Sequence, residues 1–149
     1  MNQYLLLFLA MIGGVFLTVQ SALNAQLTLL LRHPMFTSVV AFFCSAVFAL
    51  VAVLLFVRTT PTAAIIKQVP FYLWFTGGGC SVLGISLYYY VIPKLGLSTT
   101  ITFGLFGQLF FAVIAGHYGW FHLPSTPIST KKIIGMLALV IGIAFINSK

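Results

Sequence analysis

Five apolar runs, at about residues 4–23, 35–57, 71–91, 97–116 and 132–146, leave this chain few ways to fold. Crossing a bilayer takes roughly 20 predominantly apolar residues in a helix. Within lipid each backbone N–H and C=O must find its partner inside the segment, so runs of this length are read as helices rather than strands. The last run is the shortest, about 22 Å at 1.5 Å per residue. Lys131, Lys132 and Lys149 at its ends can snorkel to extend its reach. Only 5% of the chain is charged and 61% is hydrophobic, whereas soluble domains carry about 25% charged residues. Polar groups are too few to cover a soluble surface, so lipid is the expected solvent. The expected fold is an all-α integral membrane protein: a single five-helix membrane domain over residues 1–149.

The charges are all of one sign. There is no Asp and no Glu, and the seven cations are Arg32, Arg58, Lys67, Lys94, Lys131, Lys132 and Lys149. A nucleic-acid binder gathers its cations into a patch or stripe. Here they stand singly or in one pair between apolar runs, which fits interface anchors and topology signals and excludes a nucleic-acid partner. Cys44 and Cys80 fall inside apolar runs without metal-ligand or redox spacing, and read as small hydrophobes. The sequence shows no Ser/His/Asp set, metal-ligand cluster or nucleotide loop, so it reads as no enzyme and calls for no cofactor or metal. His33, His117 and His122 lie near span ends, as interfacial polar residues or pH sensors. No cation precedes Arg32, so the first apolar run lacks the basic start of a signal peptide and is expected to be a retained helix.

Along the chain, the first helix is expected from Tyr4 to Leu23, with a possible continuation to Leu31. Gly13, Gln20 and Asn24 share one of its faces. The two amides either meet neighbouring backbone near the helix end or line a pathway. Arg32-His33-Pro34 stops this helix and Pro34 can open the next. Ala63 to Val69 reads as a short interfacial helix ended by Pro70, before the aromatic entry Phe71, Tyr72, Trp74.

The stretch from Gly77 to Gly119 carries the most polar detail. It reads as two apolar helices joined by the tight connection Ile92-Pro93-Lys94-Leu95-Gly96. Gly77, Ser81, Gly84 and Tyr88 follow at spacings of four, three and four, a narrow stripe suited to close helix packing. The Tyr88-Tyr89-Tyr90 cluster suits either an interfacial belt or a cavity wall. On the next helix Thr100, Gly104 and Gln108 share a face, and Gln108 lies near mid-span, where an amide needs a partner. In the last run Gly135 and Gly142 are seven apart, a candidate helix-pairing surface.

Five spans put the termini on opposite sides. Arg58, Lys67, Lys131 and Lys132 then share the N-terminal side, and Arg32, Lys94 and Lys149 the other. Four against three is hardly an orienting excess. Either a partner decides the orientation, or both occur.

The segments AMIGGVFLTVQSALNAQL, YYYVIPKLGLSTTITFGLFGQLFFAVIAGHYGWF and KKIIGMLALVIGIAFI, taken together, resemble the YdcZ-like five-helix family of the drug/metabolite transporter superfamily. Gln20, Asn24, Pro93, Gly96, Gly107, Gln108, Gly119, Gly135 and Gly142 carry the likeness, which covers nearly the whole chain. Ten-helix members of the superfamily consist of two inverted five-helix repeats, and four-helix relatives act as antiparallel dimers. The resemblance therefore implies half of an inverted-repeat transporter of the bacterial inner membrane, completed by a second five-helix chain, the same or homologous. The near-balanced cations, read independently, agree with an antiparallel partner. One departure is notable: where the family pattern commonly has an acid before the His-aromatic-Gly run, this chain has Gly116. Carboxylate-mediated proton coupling cannot come from its side chains.

Two functions remain open. One is a transporter subunit for a small molecule or metabolite, with Gln20, Asn24, Tyr88, Thr100 and Gln108 lining the path and Gly77, Gly84, Gly104 and Gly107 permitting close packing or movement. The other is a non-transporting subunit that binds and stabilises another membrane protein.

Overall fold

The computed structural model describes residues 3–122 and 124–148. Lys149, counted among the cations on the C-terminal side in the topology reading, lies outside the described residues. The helices are α1 (Gln3–Leu31), α2 (Pro34–Phe56), α3 (Ala63–Gln68), α4 (Leu73–Leu95), α5 (Leu97–Tyr118) and α6 (Thr130–Asn147), with a 3-10 turn at Trp120–His122. All but α3 are long and apolar enough to cross a membrane. The chain divides into two compact units, Met1–Lys94 and Leu95–Lys149.

The local chemistry explains most boundaries. Arg32 takes the left-handed conformation (φ 57°) that ends α1. His33 is extended, as a residue before proline must be, and its Nδ1 accepts the Met35 N–H at 3.3 Å, capping α2. Pro34 then starts the helix, where its missing N–H costs nothing. The first helix takes the longer of its two expected extents, to Leu31. The short helix after Pro61 is α3, which ends at Gln68.

The connection expected at Ile92–Gly96 is a correction. Helix α4 runs through Pro93 and ends only at Leu95. A proline in the last turn forfeits one backbone bond, and few residues follow for its ring to displace. The break is made by Gly96 alone, whose φ of 86° is open to glycine and strained in other residues. Lys94 folds back so that its Nζ sits 3.6 Å from the centre of the Tyr90 ring, a cation–π contact at the helix end. The last helix is also longer than expected. With Ser129 as its cap, bonded to the Lys132 N–H, α6 has 18 residues, about 27 Å, enough to reach nearly across the hydrocarbon core.

Burial is inverted relative to a soluble protein. The described buried residues include the serine and threonine side chains Ser21, Thr28, Thr37, Ser38, Ser86 and Thr100, together with Tyr89 and the apolar Ala25, Ile92, Ala115 and Ile143. Most of the large aliphatic and phenyl side chains are exposed, Phe16, Phe43, Phe48, Leu54 and Leu83 among them. In water such a surface would aggregate; in lipid it is the matched one.

Candidate functional site

In the first unit the buried residues gather at one end of three helices: the C-terminal half of α1, the first turn of α2 and the C-terminal half of α4. Three side-chain hydrogen bonds join these helices pairwise. Asn24 Nδ2 on α1 donates to the Tyr89 hydroxyl on α4 at 2.9 Å. The Thr28 hydroxyl on α1 lies 2.9 Å from that of Thr37 on α2. Ser38 on α2 and Ser86 on α4 meet at 2.7 Å. Each helix thus binds the other two, and the three contacts close a polar triangle. Tyr89, Thr37 and Ser38 are its most enclosed members. Gln20 adds a second amide on the Tyr89 hydroxyl, one turn of α1 before Asn24.

Ser38 donates to the Pro34 carbonyl at 3.1 Å, which leaves Ser86 to donate to Ser38. Thr28 is also 2.9 Å from the Asn24 carbonyl. With one proton, it donates there and accepts from Thr37, or donates to Thr37 directly. No buried side-chain N or O among the described residues lacks a partner. Other hydroxyls in the spans return their bond to their own helix: Thr18 to Gly14, Ser21 to Leu17, Thr100 to Gly96, and Thr102 to Ser98. Such hydroxyls need no solute to be satisfied.

The second unit is a helical hairpin tied at both ends. Near one end Asn147 Nδ2 donates to the Ile143 carbonyl at 2.8 Å and reaches Thr102 Oγ1 on α5 at 3.4 Å. At the other end the connection after α5 folds back. Gly119 ends α5 in the left-handed conformation. The Thr126 N–H donates to the Gly116 carbonyl at 2.7 Å, and the Ile128 N–H donates to His117 Nδ1 at 3.2 Å. Lys132 Nζ donates to the carbonyls of Thr126 and Pro127 at 2.9 and 3.0 Å. This strap comes so close that a Cβ at Gly116 would lie 2.8 Å from Thr126 Oγ1. A side chain at Gly116 would require Thr126 to turn away.

Of the residues singled out by spacing, Gln20 and Asn24 are brought together, half-buried, on the Tyr89 hydroxyl. Tyr88 is half-buried, one residue from the tyrosine that the amides meet. Thr100 is buried near the start of α5, Gly104 is half-buried, and Gln108 is exposed on the isolated chain. Their common face therefore runs from interior to exterior along α5. Among the described residues, a Cβ built on Gly77, Gly84, Gly107, Gly135 or Gly142 meets no atom within 4 Å, so these glycines mark no close helix approach within their own units. The residues that sequence reasoning missed are Thr28, Thr37, Ser38, Ser86 and Tyr89. A signal was present: Val82, Ile85, Tyr89 and Ile92 follow a three-four-three spacing, with Ser86 beside them, on a different face from the glycine stripe. Among the described residues no cluster of His, Cys, Asp or Glu fits a metal ion.

Five hydrophobic spanning helices with hydroxyl-lined contacts define a multi-pass α-helical membrane protein. The family model described as "Putative inner membrane exporter, YdcZ" matches residues 5–145, and the chain belongs to this DMT_YdcZ family. Membership gives it a place in the inner membrane and points to a transporter role. Neither a curated protein nor a solved structure matches it.

Proposed function

We propose that the chain is one half of a transporter that moves a small solute across the inner membrane as an antiparallel pair of copies. The observation that carries the reading is the family match over residues 5–145. Amides held in the spans support it, because polar side chains are retained at membrane depth mainly where they meet another helix, a solute or its water. Gln20, Asn24, Tyr88, Thr100 and Gln108 are the lining set, with Tyr89 holding the first two in place. The exposed position of Gln108 on a single chain supports a second copy as the other wall. The four-against-three division of the cations supports insertion of that copy in the opposite sense.

The test is solute uptake by the purified chain in liposomes, with Gln108→Leu beside it. This substitution keeps the size of the side chain and removes its hydrogen bonds. Lost or altered uptake at near-native thermal stability is the expected result. Preserved uptake removes Gln108 from the path, and a large fall in stability makes it a structural residue. One observation favours a second reading, a subunit that stabilises another membrane protein: no side chain here can serve as a carboxylate proton carrier. A purified chain that associates but moves no solute would establish that reading instead.

A further inference from the structure

Among the described residues, the charged side chains avoid the interior of every span. Arg32 lies between α1 and α2, Arg58 follows α2, Lys67 belongs to α3, Lys94 to the last turn of α4, and Lys131 and Lys132 to the first turn of α6. Lys94 and Lys132 are engaged where they stand, on the Tyr90 ring and on two loop carbonyls. Asp and Glu are missing from the sequence altogether. The histidines keep to the same margins: His33 caps α2, His117 occupies the last turn of α5, and His122 follows it. Between those margins the polar side chains are amides and hydroxyls, including Gln20, Asn24, Tyr89, Thr100 and Gln108.

We infer, resting on the transporter reading above, that the transported solute is an uncharged molecule bearing hydrogen-bonding groups, and that its movement is electrically silent. An ion of either sign entering these spans leaves water without meeting a counter-charge, and burying an unpaired charge costs far more than burying a matched amide or hydroxyl. Antiparallel pairing of two copies adds no charge to the interior, since the second copy carries the same margins. An uncharged polar solute, by contrast, finds donors and acceptors of its own kind: the amides beside Tyr89 offer both. No carboxylate side chain of this chain is available to carry a proton in exchange.

The experiment uses the full chain in proteoliposomes, with membrane potentials of either sign set by potassium and valinomycin. The probes are xylitol and nicotinamide as uncharged solutes, tetraethylammonium as a permanent cation and benzenesulfonate as a permanent anion. A monovalent ion distributes about 50-fold at 100 mV, and an uncharged solute does not respond. The expected result is protein-dependent uptake of an uncharged probe, with the same endpoint at both potentials and no movement of either ion. Potential-driven accumulation of tetraethylammonium or benzenesulfonate overturns the inference and leaves the transporter reading standing. Absence of protein-dependent movement of all four probes removes the transporter reading, and the inference with it.

Discussion

Replacing Tyr89 by Phe isolates the polar triangle at its most enclosed point. The ring has no exposed surface, and Phe keeps nearly all of its volume. The cavity term that makes Phe→Ala changes cost about 3–5 kcal/mol is therefore absent. What is lost is the hydroxyl, 2.9 Å from Asn24 Nδ2 and shared with Gln20. A buried hydrogen bond contributes about 0.5–1.5 kcal/mol net, and leaving its partner unsatisfied costs about 1–3 kcal/mol. Two features place this site near the low end. Asn24 is half-buried and can turn its amide elsewhere. Interhelical pairs in membranes also couple weakly, about 0.6 kcal/mol on average and about 1.7 at most, because the separated helices find other partners. The expected destabilisation is about 1 kcal/mol. The assay is reversible unfolding in mixed micelles, run as a double-mutant cycle with Asn24→Ala. A coupling of about 0.6–1.7 kcal/mol is expected. Coupling indistinguishable from zero would show that the amide and the hydroxyl do not hold α1 to α4. A loss well above about 3 kcal/mol for Tyr89→Phe alone would exceed what this bond can supply.

Other positions give independent checks. Gly96→Ala places a Cβ on a backbone with φ 86° and ψ 159°; it should cost about 1–3 kcal/mol, and an unchanged melting temperature would remove the strain argument. Gly116→Ala should loosen the strap, because Thr126 must turn away from a Cβ at 2.8 Å, at about 1 kcal/mol. Faster amide exchange at Thr126 and Ile128 is the readout, with recovery in the double variant that adds Thr126→Ala; unchanged exchange in Gly116→Ala refutes the contact. Leucine at both Gly135 and Gly142, whose faces are open on the single chain, should lower the association constant of the dimer in bilayers. An undiminished constant places the pairing surface elsewhere.

The number of spanning helices and their apolar character were legible in the residues. In lipid a helix satisfies its backbone within its own segment, so local length and apolarity decide whether it forms. Local chemistry also marked the stop at Arg32-His33-Pro34 and the short helix before Pro70. At Pro93 the local rule misled, because a proline in a last turn shortens nothing when Gly96 stands three residues on to make the break. The amides Gln20 and Asn24 were recognised on their shared face, but no partner for them was legible, and the structure supplies Tyr89. Tyr88 and Tyr89 differ by about 100° around the helix axis, and all three tyrosines of α4 suit an interface equally well by composition. Only the partners choose between them. Asn24 and Tyr89 are 65 residues apart, and Ser38 and Ser86 are 48 apart. When nearly every face of a helix is apolar, periodicity says little about which face turns inward. That rotation is decided by a few hydroxyl and amide groups that must find each other across the chain, and their meeting is a property of the tertiary structure.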